Sequence, residues 1–287
     1  MHSLTVLPLH PGKAPRWLFS RMVKLGGEIA NAVIEEYGAD ELLRRLSDSN
    51  WFQAFACAIG YDWHSSGTTT VTVAALKKAL EEDPELGIAG GKGKAGTNTP
   101  NEIMKIADRL SVPSADKLVE KSRLAAKIDG SMVYDDIGIY QHSFLFTRSK
   151  WAVIQQAMQY HTNKAIRFQW FSDFVDEQDI ANEPHTGISG SIRQTTLDLT
   201  YQQNKWAREA MPEAVHEYAR AIKEYPERHE IIKQVDLSER GMQAIRKAEE
   251  LDPKDYKELM LVKGVGRKTL RSLAFVASLV YGKELAY

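Results

Sequence analysis

The amino-acid sequence predicts an α+β protein that is mainly helical, with a small antiparallel β-meander in the middle of the chain. Apolar residues recur at helical spacing before about residue 130 and again after Asn204. Between these parts, short runs rich in β-branched and aromatic residues are separated by brief turns, a pattern typical of antiparallel strands. We therefore divide the chain into a helical domain (1–130), a small sheet with a polar loop (131–203) and a second helical domain (204–287).

Helical patterns with recognisable ends fill the N-terminal part. The first begins near Pro15, which suits the first turn of a helix, and runs to Tyr37, where Gly38 can end it. The next segments with helical periodicity are ADELLRRL, WFQAFACAIG, VTVAALKKALEED, NEIMKIADRL and SADKLVEKSRLAAKI. WFQAFACAIG is apolar on most sides, so we expect it to be buried, with Cys57 as a structural thiol.

A glycine-rich segment, LGIAGGKGKAGTNTP (residues 86–100), separates two of these helices. It contains five glycines, two lysines and no acid, and we expect a long loop with a functional role. It lacks the GxxxxGK[ST] pattern of a nucleotide-binding P-loop. Lys92 and Lys94 could instead contact a phosphate backbone, and a solvated linker is the alternative.

The middle of the chain changes to a strand pattern. YQHSFLFTR, WAVIQQAM and IRFQWF predict three antiparallel strands. A polar loop, EPHTGISGSIRQ, and a short apolar alternation, TLDLT, follow. The helical patterns NKWAREAMPEAVHEYARAIKEY and SERGMQAIRKAEEL then precede the C-terminal region.

Composition excludes several classes of protein. The net charge of −1 produces no global positive field, so a nucleic acid would have to be held by a local patch. The single cysteine excludes an intramolecular disulfide and a cysteine-ligated metal cluster. No apolar stretch reaches the roughly 18 residues of a membrane span, and the N-terminus lacks a signal-peptide core. We expect a cytoplasmic protein with no membrane partner.

The C-terminal stretch LMLVKGVGRKTLRSL contains the most specific motif. Two helical patterns are joined by KGVGRK, in which Gly264 and Gly266 allow positive φ and a close approach to the backbone. The amides at the start of the second helix form an anion site. From Lys254 to Arg271 there are six cations and two acids. We predict that DNA phosphates bind to Lys263, Gly264, Val265, Gly266, Arg267, Lys268 and Thr269; a glycine turn between packed helices is the alternative.

This stretch resembles a helix-hairpin-helix motif, and GVGRKT is similar to the hairpin of endonuclease-III-like DNA glycosylases. The resemblance implies a DNA glycosylase/AP lyase in which Lys268 is the Schiff-base nucleophile. Neighbouring cations would depress the pKa of such an amine, and they would equally suit a plain phosphate clamp. That superfamily pairs its lysine with an aspartate further along the chain, whereas no Asp follows Lys268 here.

Nearly the whole chain resembles a second family, common in archaea and catalogued as domain of unknown function 763. The resemblance rests on LPLHPGKAPRWLFSRM, RRLSDSNWFQAFACAIGYDWHSSGTTT, GGKGKAGTNTP, WAVIQQAM and EPHTGISG. It implies no activity, so the site must be argued from residues.

The loop GYDWHSSGTTT offers catalytic candidates. Asp62 and His64 could share a proton, and we expect Asp62 to serve as the acid of base removal. A helix cap is the alternative. Adjacent strand residues face opposite sides, so one amide of Gln155 and Gln156 points inward and favours a polar pocket. The candidates for a pocket that holds a flipped base are Trp63, Gln155, Gln156 and His185.

Two other functions remain open. A metal-dependent nuclease could use Asp62, Glu183 and histidines, and a DNA-binding scaffold would need no chemistry. His142, His161, Glu183 and His185 could hold a metal, but their spacing matches no known ligand pattern, so we predict no metal and no cofactor. Nothing in the sequence bears on oligomeric state.

Overall fold

Along the chain, helices precede and follow a central antiparallel sheet, as the sequence predicts. The computed structural model describes residues 7–8, 14–61, 65–132, 137–159, 161, 163–190, 197–224 and 239–287. The α-helices are α1 (Arg16–Tyr37), α2 (Ala39–Ser47), α3 (Ser49–Ala58), α4 (Ser66–Ala79), α5 (Lys94–Thr97), α6 (Thr99–Arg109), α7 (Ala115–Ser131), α8 (Lys205–Glu224), α9 (Glu239–Leu251), α10 (Tyr256–Leu261) and α11 (Arg267–Tyr281). The α+β, mainly helical class is confirmed. No helix in the described ranges is long and apolar enough to cross a membrane.

The sheet has the strand order β1-β5-β4-β3-β2, and β6 also pairs with β5. Its strands are β1 (Leu7–Pro8), β2 (Gly87–Lys92), β3 (Ile137–Phe146), β4 (Trp151–Gln159), β5 (Lys164–Phe171) and β6 (His185–Gly190). Every pairing is antiparallel. The predicted meander is therefore confirmed as β3, β4 and β5, and the sheet extends beyond it on both sides.

The chain divides into two units whose boundaries differ from the three predicted segments. The first comprises residues 1–126, 135–175 and 184–193, and the second comprises 127–134, 176–183 and 194–287. The sheet belongs to the first unit together with α1 to α6. Nearly every residue of β4 is buried, so both faces of the sheet are covered there.

Local signals explain most helix ends in the first unit. Helix α1 follows Pro15 and ends at Gly38, whose φ is +88° and whose N–H donates to the carbonyl of Ile34. Helix α4 begins at Ser66, earlier than predicted, because Ser65 and Thr68 form a capping box. The expectation of a buried Cys57 is wrong: α3 buries Phe52, Phe55 and Ala56, and Cys57 is exposed.

The glycine-rich segment is not a loop, which corrects the sequence prediction. Residues 87–92 form edge strand β2, and α5 follows. At Gly90 φ is +88°, and a Cβ would lie 2.2 Å from the carbonyl oxygen of His142, so only glycine fits. The Gly90 N–H donates to Glu102 Oε2 (2.8 Å) and its carbonyl accepts from Lys77 Nζ (2.8 Å). Lys77 and Glu102 are themselves 2.5 Å apart, so one ion pair holds the peptide groups of Gly90.

One further prediction in the polar middle region needs correction. EPHTGISGSIRQ is predicted as a loop, but its residues 185–190 form β6, in which Ile188 pairs with Phe168. Gly187 permits the start of α3 to lie against β6, because a Cβ there would lie 2.2 Å from Ser49 Oγ. The alternation TLDLT forms no strand over its described residues 197–200, although Leu197 and Leu199 are buried.

The second unit contains α8, α9, α10 and α11, and Arg208 of α8 is buried in it. The guanidinium of Arg208 donates to Asp179 (2.7 Å) and Asn182 (2.8 Å), and also to the carbonyl of Leu199 (2.9 Å). A buried charge is tolerated when it is paired and hydrogen-bonded in this way.

Candidate functional site

The C-terminal hairpin consists of α10, a turn over residues 262–266, and α11. Gly264 has φ +102°, and a Cβ there would lie 3.2 Å from Ala244 Cβ, so the fold itself requires glycine at this position. Gly266 has an extended backbone (φ −136°, ψ −174°), so the expected positive φ is wrong there. Apart from Gly266 itself and its two neighbours in the chain, no described residue has an atom within 4 Å of a Cβ built on Gly266. The fold therefore gives no reason for a glycine at 266.

The start of α11 is the electropositive end of this hairpin. No side chain in the described ranges caps the helix at its N-cap residue Gly266. Four cations and no acid occur from Val262 to Arg271. The two nearby acids act at the far end of α10, where Asp255 caps the Glu258 N–H (2.7 Å) and Glu258 accepts from the Lys254 N–H (2.8 Å). The N-terminal end of the helix dipole and the basic residues next to it in the sequence both favour an anion here.

The predicted phosphate-binding residues differ in accessibility. Lys263 and Gly264 are exposed, and the three residues from Gly266 to Lys268 are half-buried. Val265 and Thr269 are 2% and 3% exposed, so their side chains pack inward and cannot contact a ligand at the surface. Lys263 makes no hydrogen bond or ion pair within the described part of the chain.

Lys127, near the end of α7, holds the hairpin turn from within. Its ammonium donates to the carbonyl oxygens of Met260, Val262 (3.3 Å) and Val265 (3.1 Å). These oxygens belong to the last turn of α10 and to the loop that follows it, where helical carbonyls lack intrahelical partners. A lysine can satisfy such carbonyls. One half-buried side chain therefore fixes the path of the backbone between the two helices.

The loop residues Asp62, Trp63 and His64 lie outside the described residues. The segment that follows them contacts the sheet. Gln156 Nε2 donates to the carbonyl of Ser66 (2.8 Å), and the Thr69 hydroxyl donates to Gln156 Oε1. The start of α4 is therefore bound to the meander by polar contacts, close in sequence to the predicted catalytic loop.

A row of polar side chains crosses the face of the sheet that contacts α4. In register, Lys92 pairs with Gln141, Gln141 with Gln156, Gln156 with Arg167 and Arg167 with Ser189. Directly opposed residues of antiparallel strands share a face, so these five side chains lie on one side of the sheet.

Arg167 is the most unusual member of this row because it is 1% exposed. Its Nε donates to Gln169 Oε1 (3.1 Å), and its guanidinium lies 4.6 Å from the ring centroid of Phe52. Burial lowers the pKa of Arg167 to about 10. Amide and hydroxyl oxygens are its hydrogen-bond acceptors within the described part of the chain.

The opposite face of the sheet holds a second polar group. His142 Nδ1 donates to Gln155 Oε1 (2.8 Å), and its Nε2 accepts from the Ser122 hydroxyl (2.8 Å). Burial lowers the pKa of His142 to about 4, so the ring is neutral. Gln155 also donates to the carbonyl of Ala125 (3.1 Å).

The predicted base-pocket residues occupy three different environments. Gln155 and Gln156 do face opposite sides, but both are fully buried because helices cover both faces of the sheet. Each amide is engaged by neighbouring protein groups. His185 is half-buried and lies edge-on to Trp170, with ring centroids 5.2 Å apart. Trp63 lies outside the described residues.

One protein family matches nearly the whole chain. The family model described as protein of unknown function (DUF763) matches residues 3–287. The chain belongs to this family. No curated protein and no solved structure matches it. The family description states no activity, so functional inference for this DUF763 member rests on its own residues.

Those candidate metal ligands of this DUF763 protein that the structure describes do not form a cluster. In the described ranges, no three His, Cys, Asp or Glu side chains are grouped so that they could hold a metal ion. Both ring nitrogens of His142 are engaged by Ser122 and Gln155.

Lys92 and Lys94, the residues of the first unit that the sequence predicts to contact a DNA backbone, are both exposed.

Sequence reasoning missed two residues that organise these sites. Lys127 contacts a turn that lies 138 residues further along the chain, and no local pattern indicates such a contact. Arg167 did leave a signal, since a cation within the strand pattern IRFQWF must point to one face of the sheet. The sequence analysis did not consider Arg167, and most arginines face solvent.

Proposed function

We propose that this protein binds DNA through the phosphate backbone, with the hairpin around Gly266 as the contact. The observation that carries the proposal is Gly266 itself. It precedes an uncapped helix, its backbone is ordinary, and the described residues give no reason to avoid a side chain there. A glycine with open space above it lets an external group approach the amides of α11 closely.

Charge and rigidity support the same function. Lys263 is exposed beside the turn, and Arg267 and Lys268 occupy the first positions of α11. A phosphate at this N-terminus would meet amide donors and cations together, which favours binding without sequence preference. Lys127 holds the turn through three carbonyls, so the site is formed before the ligand arrives.

Replacement of Gly266 by serine tests the proposal. A serine at the N-cap accepts a hydrogen bond from the first-turn amides and should raise the free energy of unfolding by about 0.3 kcal/mol, because glycine is already a tolerated N-cap residue. The same side chain would occupy the amides that a phosphate needs. We therefore expect Gly266→Ser to be more stable than the parent but to bind duplex DNA more weakly across all sequences.

A matched control is Gly26→Ala in α1, where a Cβ would make only ordinary contacts, the nearest at 3.7 Å. It should leave DNA affinity unchanged. Unchanged DNA affinity in Gly266→Ser, measured at several salt concentrations, would remove the hairpin from the interface.

A second proposal is DNA repair chemistry of the glycosylase/AP lyase type at Lys268. Lys268 is half-buried on the first turn of α11, beside the amides proposed to hold the phosphate. Its amine would therefore lie near a bound sugar-phosphate. Schiff-base formation with the sugar C1′ requires a neutral amine. Covalent trapping, described in the Discussion, separates this chemistry from simple binding.

A further inference from the structure

A half-open cleft of about 620 Å³ lies in the first unit between α4, α6 and the edge strand β2. Its apolar lining includes Val73, Ile88 and Ile106, and its volume falls within the range of small-molecule sites. Five basic and three acidic side chains surround this lining. The cleft is therefore apolar inside and more basic than acidic at its rim.

One polar atom in the wall of the cleft has no partner. Gln141 is 1% exposed and lines the cleft; its Nε2 donates to Ser143 Oγ (2.8 Å), and its Oε1 has no hydrogen-bond partner among the described residues. If the amide were turned over, the hydroxyl of Ser143 would donate to the oxygen and leave the nitrogen alone. In either orientation, one amide atom of Gln141 has no partner among the described residues; it is buried just behind the lining of the cleft, and rotation of the side chain would present it to a ligand.

Two of the rim cations make no hydrogen bond or ion pair among the described residues, although the ammonium of Lys92 lies 5.8 Å from the ring centroid of Tyr140. Lys77 is bound to Glu102 and to the carbonyl of Gly90, and Arg109 donates to the carbonyl of Leu86. Lys92 and Lys105 are exposed and make no hydrogen bond or ion pair with the described residues. Lys92 also pairs with Gln141 in the sheet, so it lies beside the unpartnered amide.

We propose that this cleft binds one nucleotide unit. The base lies on the apolar lining with its edge toward Gln141, and the phosphate is held by Lys92 and Lys105. A base edge offers both donors and acceptors, so it can satisfy the amide in either orientation. The unit could be a free mononucleotide or a nucleotide turned out of DNA. The proposal does not depend on DNA binding by the hairpin.

Titration calorimetry with deoxynucleoside monophosphates tests the cleft directly. We expect a mononucleotide to bind at least about tenfold more tightly than a nucleoside without phosphate or deoxyribose 5-phosphate without base, because each half loses one set of contacts. A mixed-sequence single-stranded oligonucleotide is titrated in parallel. If the oligonucleotide binds, mononucleotides do not, and the cleft variants weaken the binding of the oligonucleotide, then the cleft takes its nucleotide from a polymer.

Paired variants identify the residues. Lys92→Ala with Lys105→Ala should weaken nucleotide binding by about tenfold, whereas Lys24→Ala with Lys117→Ala, two exposed lysines outside the cleft, should not. Gln141→Leu should weaken binding and reduce the differences among the four bases. Gln53→Leu, which removes another amide whose oxygen has no partner in the described ranges, should leave binding intact.

Two results would overturn the proposal: binding of neither mononucleotide nor oligonucleotide by the parent, or equal affinity in the parent and the lysine double variant. The lysine variant keeps the test valid if Gln141→Leu does not fold, because both lysines are exposed. Gly266→Ser should leave mononucleotide affinity unchanged. Failure of the hairpin proposal is thereby distinguishable from failure of the cleft.

Discussion

The ammonium of Lys127 lies 3.1 Å from the carbonyl oxygen of Val265, in the turn that precedes α11. Lys127→Met keeps the length of the side chain and removes its donors. We expect the free energy of unfolding to fall by about 1–3 kcal/mol, because buried carbonyls lose their partner. Lys117→Met, at an exposed position of the same helix, should cost almost nothing.

DNA titrations of the same variant separate support from direct contact. Lys127 binds carbonyls, so its loss should lower DNA affinity without changing the slope of log affinity against log salt. Lys263→Ala removes an exposed cation and should reduce that slope by about one. A reduced slope in Lys127→Met would show instead that Lys127 acts on phosphate.

The buried His142 should make stability depend on pH. Its pKa is lowered from 6.5 to about 4 in the folded protein, chiefly by burial. Between these values the unfolded chain binds the proton more readily, so acid favours unfolding. The parent should lose about 3 kcal/mol between pH 7 and pH 4 through this group, and above pH 6.5 the contribution should be constant.

Denaturant titrations across pH compare the parent with His142→Gln. Glutamine stays neutral throughout, so the difference between the two unfolding free energies should change across this window. A pH-independent difference would contradict the assignment of a neutral, buried imidazole.

Borohydride trapping on abasic DNA tests chemistry at Lys268. If Lys268 is a nucleophile, the parent should form a covalent adduct, and Lys268→Gln should form none while binding DNA within a few fold of the parent. Lys263→Gln is the matched control, because it removes a neighbouring cation and should keep the adduct.

Asp62 is the acid that the sequence favours, so Asp62→Asn should lose base removal and keep DNA binding. If the parent binds damaged, abasic and branched DNA but reacts with none of them, the glycosylase/AP lyase proposal is wrong and the protein only binds DNA.

The sequence predicts elements whose determinants are local and fails where the determinants are distant. Gly38 ends α1 as expected, and the meander follows from its β-branched and aromatic residues. The sequence does not predict β2, because the five glycines of residues 86–100 are typical of a loop. The close approach of the His142 backbone and the contacts of Gly90 exist only after folding. The two C-terminal helices and the turn between them were predictable from the spacing of glycines and apolar residues. The hydrogen bonds that Lys127 donates to this turn were not.

The ion pair of Lys77 and Glu102 affects whether molecules of this protein can associate through the edge strand β2. Edge strands expose peptide groups that can recruit a strand from another molecule. At Gly90 the donor and the acceptor are already occupied, and positive φ at Gly90 and Gly91 bends the backbone away from a regular strand. An incoming chain would have to displace a charged pair to continue the hydrogen-bond ladder. This side of the sheet is therefore protected against aggregation by strand addition.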